Sequence, residues 1–268
     1  MANPEHLALL QAGAVTWLEW RKNNPQIEPD LSEANLQGWN LRGANLQGVN
    51  LRKTDLSNSL LVAANLSEAE LSGASLHKAT LVEANLTAAN ICIANLSNAK
   101  LTQATLSHAN LIGSDLRGVN LKEAILVNTN LIGTDLKGAN LKKADLGGAK
   151  LTRTNLSEAN LIEANLIESD LRFANLYEAE LISAYLYKAD LHKANLTQAH
   201  LSEAYLFRAN LSKAQIIRTD LRWSNLSFAS LSGAKLKHAN LRGSKLYKVN
   251  IQGAEFEGVI MPDGTIQD

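Results

Sequence analysis

Side chains able to do chemistry are few in this chain, and their spacing does not suit catalysis. The histidines are His6, His77, His108, His192, His200 and His238. None belongs to an HExxH pattern, the spacing that puts two imidazoles on one helix face for zinc. Cys92 is the single cysteine. It has no histidine nearby in sequence to take its proton, so it reads as a weakly exposed thiol rather than a nucleophile. Gly38 and Gly43 have the glycine spacing of a phosphate loop, but no Gly-Lys-Ser/Thr follows them. The Asn-Leu-Ser and Asn-Leu-Thr triplets mimic glycosylation acceptors only because the surrounding pattern recurs. The expectation is a protein with no catalytic, cofactor or metal residues, and not an enzyme.

Two surface features remain. Between residues 21 and 172 the only aromatic is Trp39, whereas Tyr185, Tyr187, Tyr205, Phe207, Phe228 and Tyr247 follow within about sixty residues. Twenty residues separate Tyr185 from Tyr205 and Tyr187 from Phe207, which predicts stacked pairs on one side of the molecule and a candidate partner surface. Lateral stacking that merely stabilises the fold is the competing reading. Charge is also uneven: residues 208–248 hold nine Lys or Arg against Asp220 alone, and residues 155–185 hold six carboxylates against Arg172. Such asymmetry can set the register of a partner, although a solvated face is the preferred reading.

The element that must position these residues is a repeat. Residues 111–124, LIGSDLRGVNLKEA, return at 131–144 as LIGTDLKGANLKKA. A shorter beat runs inside, with a central residue every five from Leu31 to Phe256: 46 positions, of which 42 are Leu. Two residues before each centre the chain is small, most often Ala. A helix turning about 100° per residue would scatter leucines spaced by five around its cylinder. A flat strand would flip each successive leucine to the other face. Both objections vanish if the chain turns a corner in every repeat, so that the small residue and the leucine always face one core. Thirteen of the 16 glycines lie two residues after a centre, the place where a type II turn needs φ > 0. Between Arg153 and Phe228 that place holds no glycine, and the expectation there is a type I-like corner. The Asn or Asp before each centre is expected to bond backbone between coils.

The A(N/D)LXX pattern, as in Ala34-Asn35-Leu36 and Ala144-Asp145-Leu146, resembles the pentapeptide repeat family across about residues 30–259. The resemblance implies an all-β solenoid, a right-handed quadrilateral β-helix with four repeats per coil. At that rate 46 centres make about 11–12 coils and a rod roughly 55 Å long at the strand spacing. It also implies a non-enzymatic scaffold for protein–protein interaction, with a regulatory role in cell differentiation as in some cyanobacterial members. The alternative it carries is a nucleic-acid mimic that protects DNA gyrase. Relatives of that kind are acidic and many have loop insertions, whereas this chain has net charge +0 and an unbroken beat.

Three segments are expected: a capping helix and linker over 1–29, the repeats over 30–259, and a turn and tail over 260–268. One helix is predicted for residues 3–23, with Asn3 as N-cap, Pro4 in the first turn and an apolar face of Leu7, Leu10, Ala14, Trp17 and Leu18. Trp39 is expected to fill space beneath it. Met261-Pro262-Asp263-Gly264 reads as a turn leading into a lid or short closing strand. The tail MPDGTIQD resembles an ending common among cyanobacterial members of the family. With one cysteine, no signal pattern and no apolar run of membrane length, a reducing cytoplasm is the expected location. The expected partner is an unidentified protein rather than a small molecule, nucleic acid or membrane, with the chain a monomer or an end-to-end dimer.

Overall fold

The computed structural model describes residues 1–268. From Asp30 onward each residue before a centre forms a parallel bridge with the residue twenty further on, beginning Asp30↔Asn50 and Asn35↔Asp55 and continuing to Asn240↔Ile260. Twenty residues, or four pentapeptides, therefore make one coil, and four columns of bridges run its length. Extended strands are almost absent. A four-residue turn in every five leaves a single bridging residue per side, so the expected β architecture takes the form of isolated rungs.

Around the first repeat, where Asp precedes the centre, the amides of all five places are accounted for. Leu31 N–H donates to Asn50 O (2.8 Å), and Asn50 N–H donates back to Pro29 O (2.9 Å). Glu33 N–H donates to Arg52 O (2.8 Å), and Ala34 N–H closes its own turn on Leu31 O (3.2 Å). The fifth amide, Ser32 N–H, donates to the Asp30 side chain (2.9 Å). The Asn or Asp thus bonds backbone within its own coil, two residues on. Between coils it meets side chains instead, as in Asn165 Nδ2 to Asp145 Oδ1 at 2.8 Å.

Corner geometry is uniform, contrary to the two classes expected. All 46 residues two after a centre have positive φ, the 33 non-glycines among them included. Phe173 (φ 59°), Trp223 (φ 60°) and Phe228 (φ 61°) adopt it as readily as Gly138 (φ 65°). The preceding residue stays at negative φ, giving the type II sign pattern at every corner. The left-handed region costs a non-glycine residue roughly 1–2 kcal/mol. The inter-coil bond from the same amide holds it there: Phe173 N–H to His192 O is 3.0 Å and Phe228 N–H to Tyr247 O is 2.8 Å.

The core is one continuous cluster of centres and small residues, with nearly every centre from Leu31 to Leu241 fully buried. Threonines in the small slot spend their hydroxyls on carbonyls, Thr54, Thr129, Thr154 and Thr219 on the preceding coil, as Thr54 does on Leu31 O (2.8 Å), and Thr134 on Leu131 of its own turn.

The N-terminal segment forms two helices, not one: α1 (Pro4–Gln11) and α2 (Ala14–Asn23). Gly13 separates them at φ 108°, ψ 171°, outside any helical region. The break turns Ala14 and Leu18 to solvent and leaves Leu10 and Trp17 as the buried anchors. Asn3 caps α1 as expected, accepting from Glu5 N–H (2.9 Å). The pair also covers polar groups on the open edge of the first coil. Asn3 N–H donates to Asp30 O (2.9 Å), and Asp30 N–H donates to the buried His6 Nδ1 (3.0 Å). Trp17 Nε1 donates to Asn45 O (2.7 Å) and Arg21 to Gln47 O (2.7 Å). Trp39 lies half-buried against the core. No helix is long and apolar enough to cross a membrane.

At the far end β1 (Lys235–Lys237) pairs in parallel with β2 (Glu255–Glu257). A hairpin of β3 (Val259–Ile260) and β4 (Ile266–Gln267) closes the chain around the Met261–Gly264 turn.

Candidate interaction surface

Tyr185, Tyr187, Tyr205, Phe207, Phe228 and Tyr247 all flank centres of one column, namely Leu186, Leu206, Leu226 and Leu246. The residues next to a centre point outward and Phe228 stands at the corner two after Leu226, so the whole set lies on one side, with Tyr185, Tyr205, Phe228 and Tyr247 exposed and Tyr187 and Phe207 half-buried. Their rings form a chain. Tyr187 stacks on Phe207 (centroids 6.0 Å, 21°), and Phe207 meets Phe228 edge-on (5.3 Å, 62°). Phe228 meets Tyr247 in the same way (5.4 Å, 79°). Tyr185 and Tyr205 are bridge partners, but their rings do not stack as expected. Tyr205 turns instead onto Phe207 in its own coil, nearly parallel at 6.0 Å.

Sequence reading missed the cations that complete this side. Lys188 lies 5.1 Å from the Tyr187 ring, Arg208 lies 5.5 Å from Phe207, and Lys248 lies 5.4 Å from Tyr247. All three follow a centre by two, at intervals of twenty or forty residues, so the signal was available in the spacing. Lys188 is also bound by Glu168 (3.0 Å), which holds its ammonium above the usual lysine range.

The acidic block of the sequence largely cancels from coil to coil, the basic block only in part. Of the six carboxylates in 155–185, five meet a cation or histidine: Glu158 with Lys137, Glu163 with Lys143, Glu168 with Lys188, Asp170 with Arg172, Glu180 with His200. Among the nine basic residues Arg222 pairs with Asp220. Lys235 and Lys237 find Glu255 and Glu257 twenty residues on, beyond the window that made the segment look purely basic. The other six make no ion pair; Arg208, Lys245 and Lys248 lie on the aromatic side, and Lys213, Arg218 and Arg242 on the other three.

Elsewhere the polar outward residues serve the ladder. His77 and His192 each meet a serine one coil on at 2.8 Å, and burial pushes the half-buried Cys92 thiol up from its ordinary range. No group of three or more His, Cys, Asp or Glu is arranged to hold a metal ion. On the neighbouring side the exposed indole of Trp223 lies flat over Gly243, where an added Cβ would sit 2.2 Å from the ring.

The profile of pentapeptide repeats matches residues 30–62, 54–91, 94–131, 114–153, 154–192, 184–222 and 224–261. The chain belongs to the pentapeptide repeat family. Among solved members, HetL, a pentapeptide repeat protein involved in heterocyst differentiation regulation in the cyanobacterium Nostoc, is 33% identical. That similarity covers 93% of this chain and 98% of HetL, with a TM-score of 0.36. Rfr23 from the cyanobacterium Cyanothece is 28% identical over 50% of this chain and 91% of its own (TM-score 0.19). QnrB1, a plasmid-mediated fluoroquinolone resistance protein, is 16% identical over 62% of this chain and 92% of its own (TM-score 0.47). No curated protein matches.

Proposed function

We propose that this pentapeptide repeat protein is a non-enzymatic scaffold that binds a protein partner through its aromatic side, in a regulatory role. Its four columns of bridges are then the sides of a right-handed quadrilateral β-helix, standing in a reducing cytoplasm. The observation that carries the reading is the row of rings and cations on one column, where Tyr185, Tyr205, Phe228 and Tyr247 are exposed. The core beneath is like that of the other columns: Leu186, Leu206 and Leu226 are fully buried, as are Leu111, Leu131 and Leu151, which no ring flanks. Exposed contiguous apolar surface with few structural duties is characteristic of binding sites.

HetL supports the regulatory part, since identity at 33% runs over almost the full length of both chains. Gyrase mimicry draws less support, because it calls for an acidic surface and most carboxylates of residues 155–185 are paired here.

Two measurements test the proposal. The variant Tyr185→Ser, Tyr187→Ser, Tyr205→Ser, Phe207→Ser is compared with the parent by thermal melting and by crosslinking in cyanobacterial extract. A binding side loses its crosslinked partner while the melting point barely moves. Retained partners with a lower melting point would defeat the reading. Heterocyst frequency in a filamentous cyanobacterium overproducing the chain addresses the regulatory role, and an unchanged frequency counts against it.

A further inference from the structure

We propose that the aromatic side receives an acidic helix of another protein, its carboxylates spaced one helical turn apart. The inference rests on the interaction reading above and adds the chemistry of the partner.

It begins with what the side offers. The hydroxyls of Tyr185, Tyr205 and Tyr247 have no hydrogen-bond partner, and that of Tyr187 has only the neighbouring Lys188 ammonium, whereas Tyr177, on another side, donates to Gln198 (3.2 Å). Arg208, Lys245 and Lys248 have no carboxylate within ion-pairing reach. From Tyr205 to Lys248 this column carries no Asp or Glu at all. Phenol hydroxyls, guanidinium and ammonium groups are all donors, and carboxylates accept from each of them.

Except at Tyr185, the faces of these rings are largely spent on one another and on the cations. Phe207 alone meets Tyr187, Tyr205, Phe228 and Arg208. What remains outward is ring edges and hydroxyls. That suits a carboxylate better than a nucleic-acid base, which needs an open ring face to stack on.

Spacing selects the shape of the partner. Successive coils repeat every 4.7–4.9 Å or so, and Tyr185 to Tyr247 spans three steps, about 14 Å. A helix advances about 5.4 Å per turn and drifts under about 2 Å over three steps. A strand repeats a face every 6.6–6.8 Å or so and drifts by more than about 5 Å. Only the helix keeps its side chains over successive coils. A second copy of this chain offers no such face, since the six carboxylates of 155–185 are distributed over all four columns and mostly paired.

The test uses fluorescence anisotropy with the full-length protein and four labelled probes. These are a helical peptide with Glu at i, i+4, i+7 and i+11; a scramble of it; its Lys counterpart; and a single-stranded oligodeoxynucleotide. The Glu helix is expected to bind at least about tenfold more tightly than the scramble or the Lys peptide. Arg208→Gln, Lys245→Gln, Lys248→Gln should remove about tenfold or more of that affinity. The Tyr→Phe change at residues 185, 187, 205 and 247 keeps every ring and should weaken binding several-fold at an unchanged melting point. Equal binding of the Glu helix and its scramble would overturn the helical spacing. Undiminished binding by the triple Gln variant would overturn the site. An oligonucleotide that binds more tightly than the Glu helix, and is lost in the triple variant, would reassign the side to nucleic acid. If crosslinked partners depend on the rings yet no acidic helix binds, this inference fails and the interaction reading stands.

Discussion

At the scale of the residue, position within the pentapeptide decides what a substitution costs. Leu136 is fully buried, so Leu136→Ala should lose about 2–5 kcal/mol in denaturant melts. Glycines in the corners differ by what stands beside them. An added Cβ meets nothing within 4 Å at Gly138, where φ is +65°. Gly138→Ala should therefore cost only the left-handed strain, about 1 kcal/mol. Gly243→Ala must in addition displace the Trp223 indole, so its melting point should fall further. Its fluorescence should change in a way absent from a Trp223→Phe background. The Asp–Arg pairs set the acid limit. Arg117 bonds the Asp115 carboxylate through Nε (2.9 Å) and Nη2 (2.6 Å), and Arg172 does the same for Asp170. Each pairing holds the carboxyl below its ordinary range. Stabilisation is therefore present above the unfolded value of about 3.9 and is lost as pH falls through the lower folded value. The melting point should hold from neutral pH to about pH 5 and decline below about pH 4. Asp115→Asn with Asp170→Asn should make that decline shallower.

At the scale of the element, the N-terminal helices act as much through polar contacts as through apolar cover. Trp17→Phe keeps the buried ring but removes the donor to Asn45 O, and should cost about 1 kcal/mol. Hydrogen exchange should quicken first at amides of the opening coil and leave later coils protected. The cap was legible in Asn3, Pro4 and the apolar spacing, whereas its division was not. Gly13 was the mark, but continuous helical periodicity on both sides concealed it. Corners were legible as corners because thirteen glycines share one place in the beat. Their uniformity was not, since local preference opposes Phe or Trp at positive φ. The bond that overrides the preference reaches nineteen residues along the chain. Ring geometry failed for a related reason: spacing placed Tyr185 beside Tyr205 correctly in the ladder, but side-chain torsions send the Tyr205 ring toward Phe207.

At the scale of the whole molecule, interchangeable coils predict tolerance to loss by whole coils only. Excising residues 131–150 joins Asn130 to Leu151 with the beat, the lag of twenty and all four columns unbroken. That protein should fold, melt cooperatively and keep its aromatic side. Deleting the single residue Lys137 shifts every later centre by one place at that point. It should lower the melting point and expose nearby amides to exchange. Circular dichroism melts of the two deletions decide the matter, and equal losses would contradict independent stacking of coils.

The direction of the inter-coil bonds has a bearing on how the protein is made. The helices that cover the opening edge leave the ribosome before the coils do, and each coil completes its bonds when the next twenty residues arrive. A nascent chain therefore exposes one unfinished coil at a time, however long it has grown. Synthesis at about 5–20 residues per second adds a coil every few seconds at most. The cap, by blocking the other edge from the outset, leaves the growing end as the only template to which a stray strand can add.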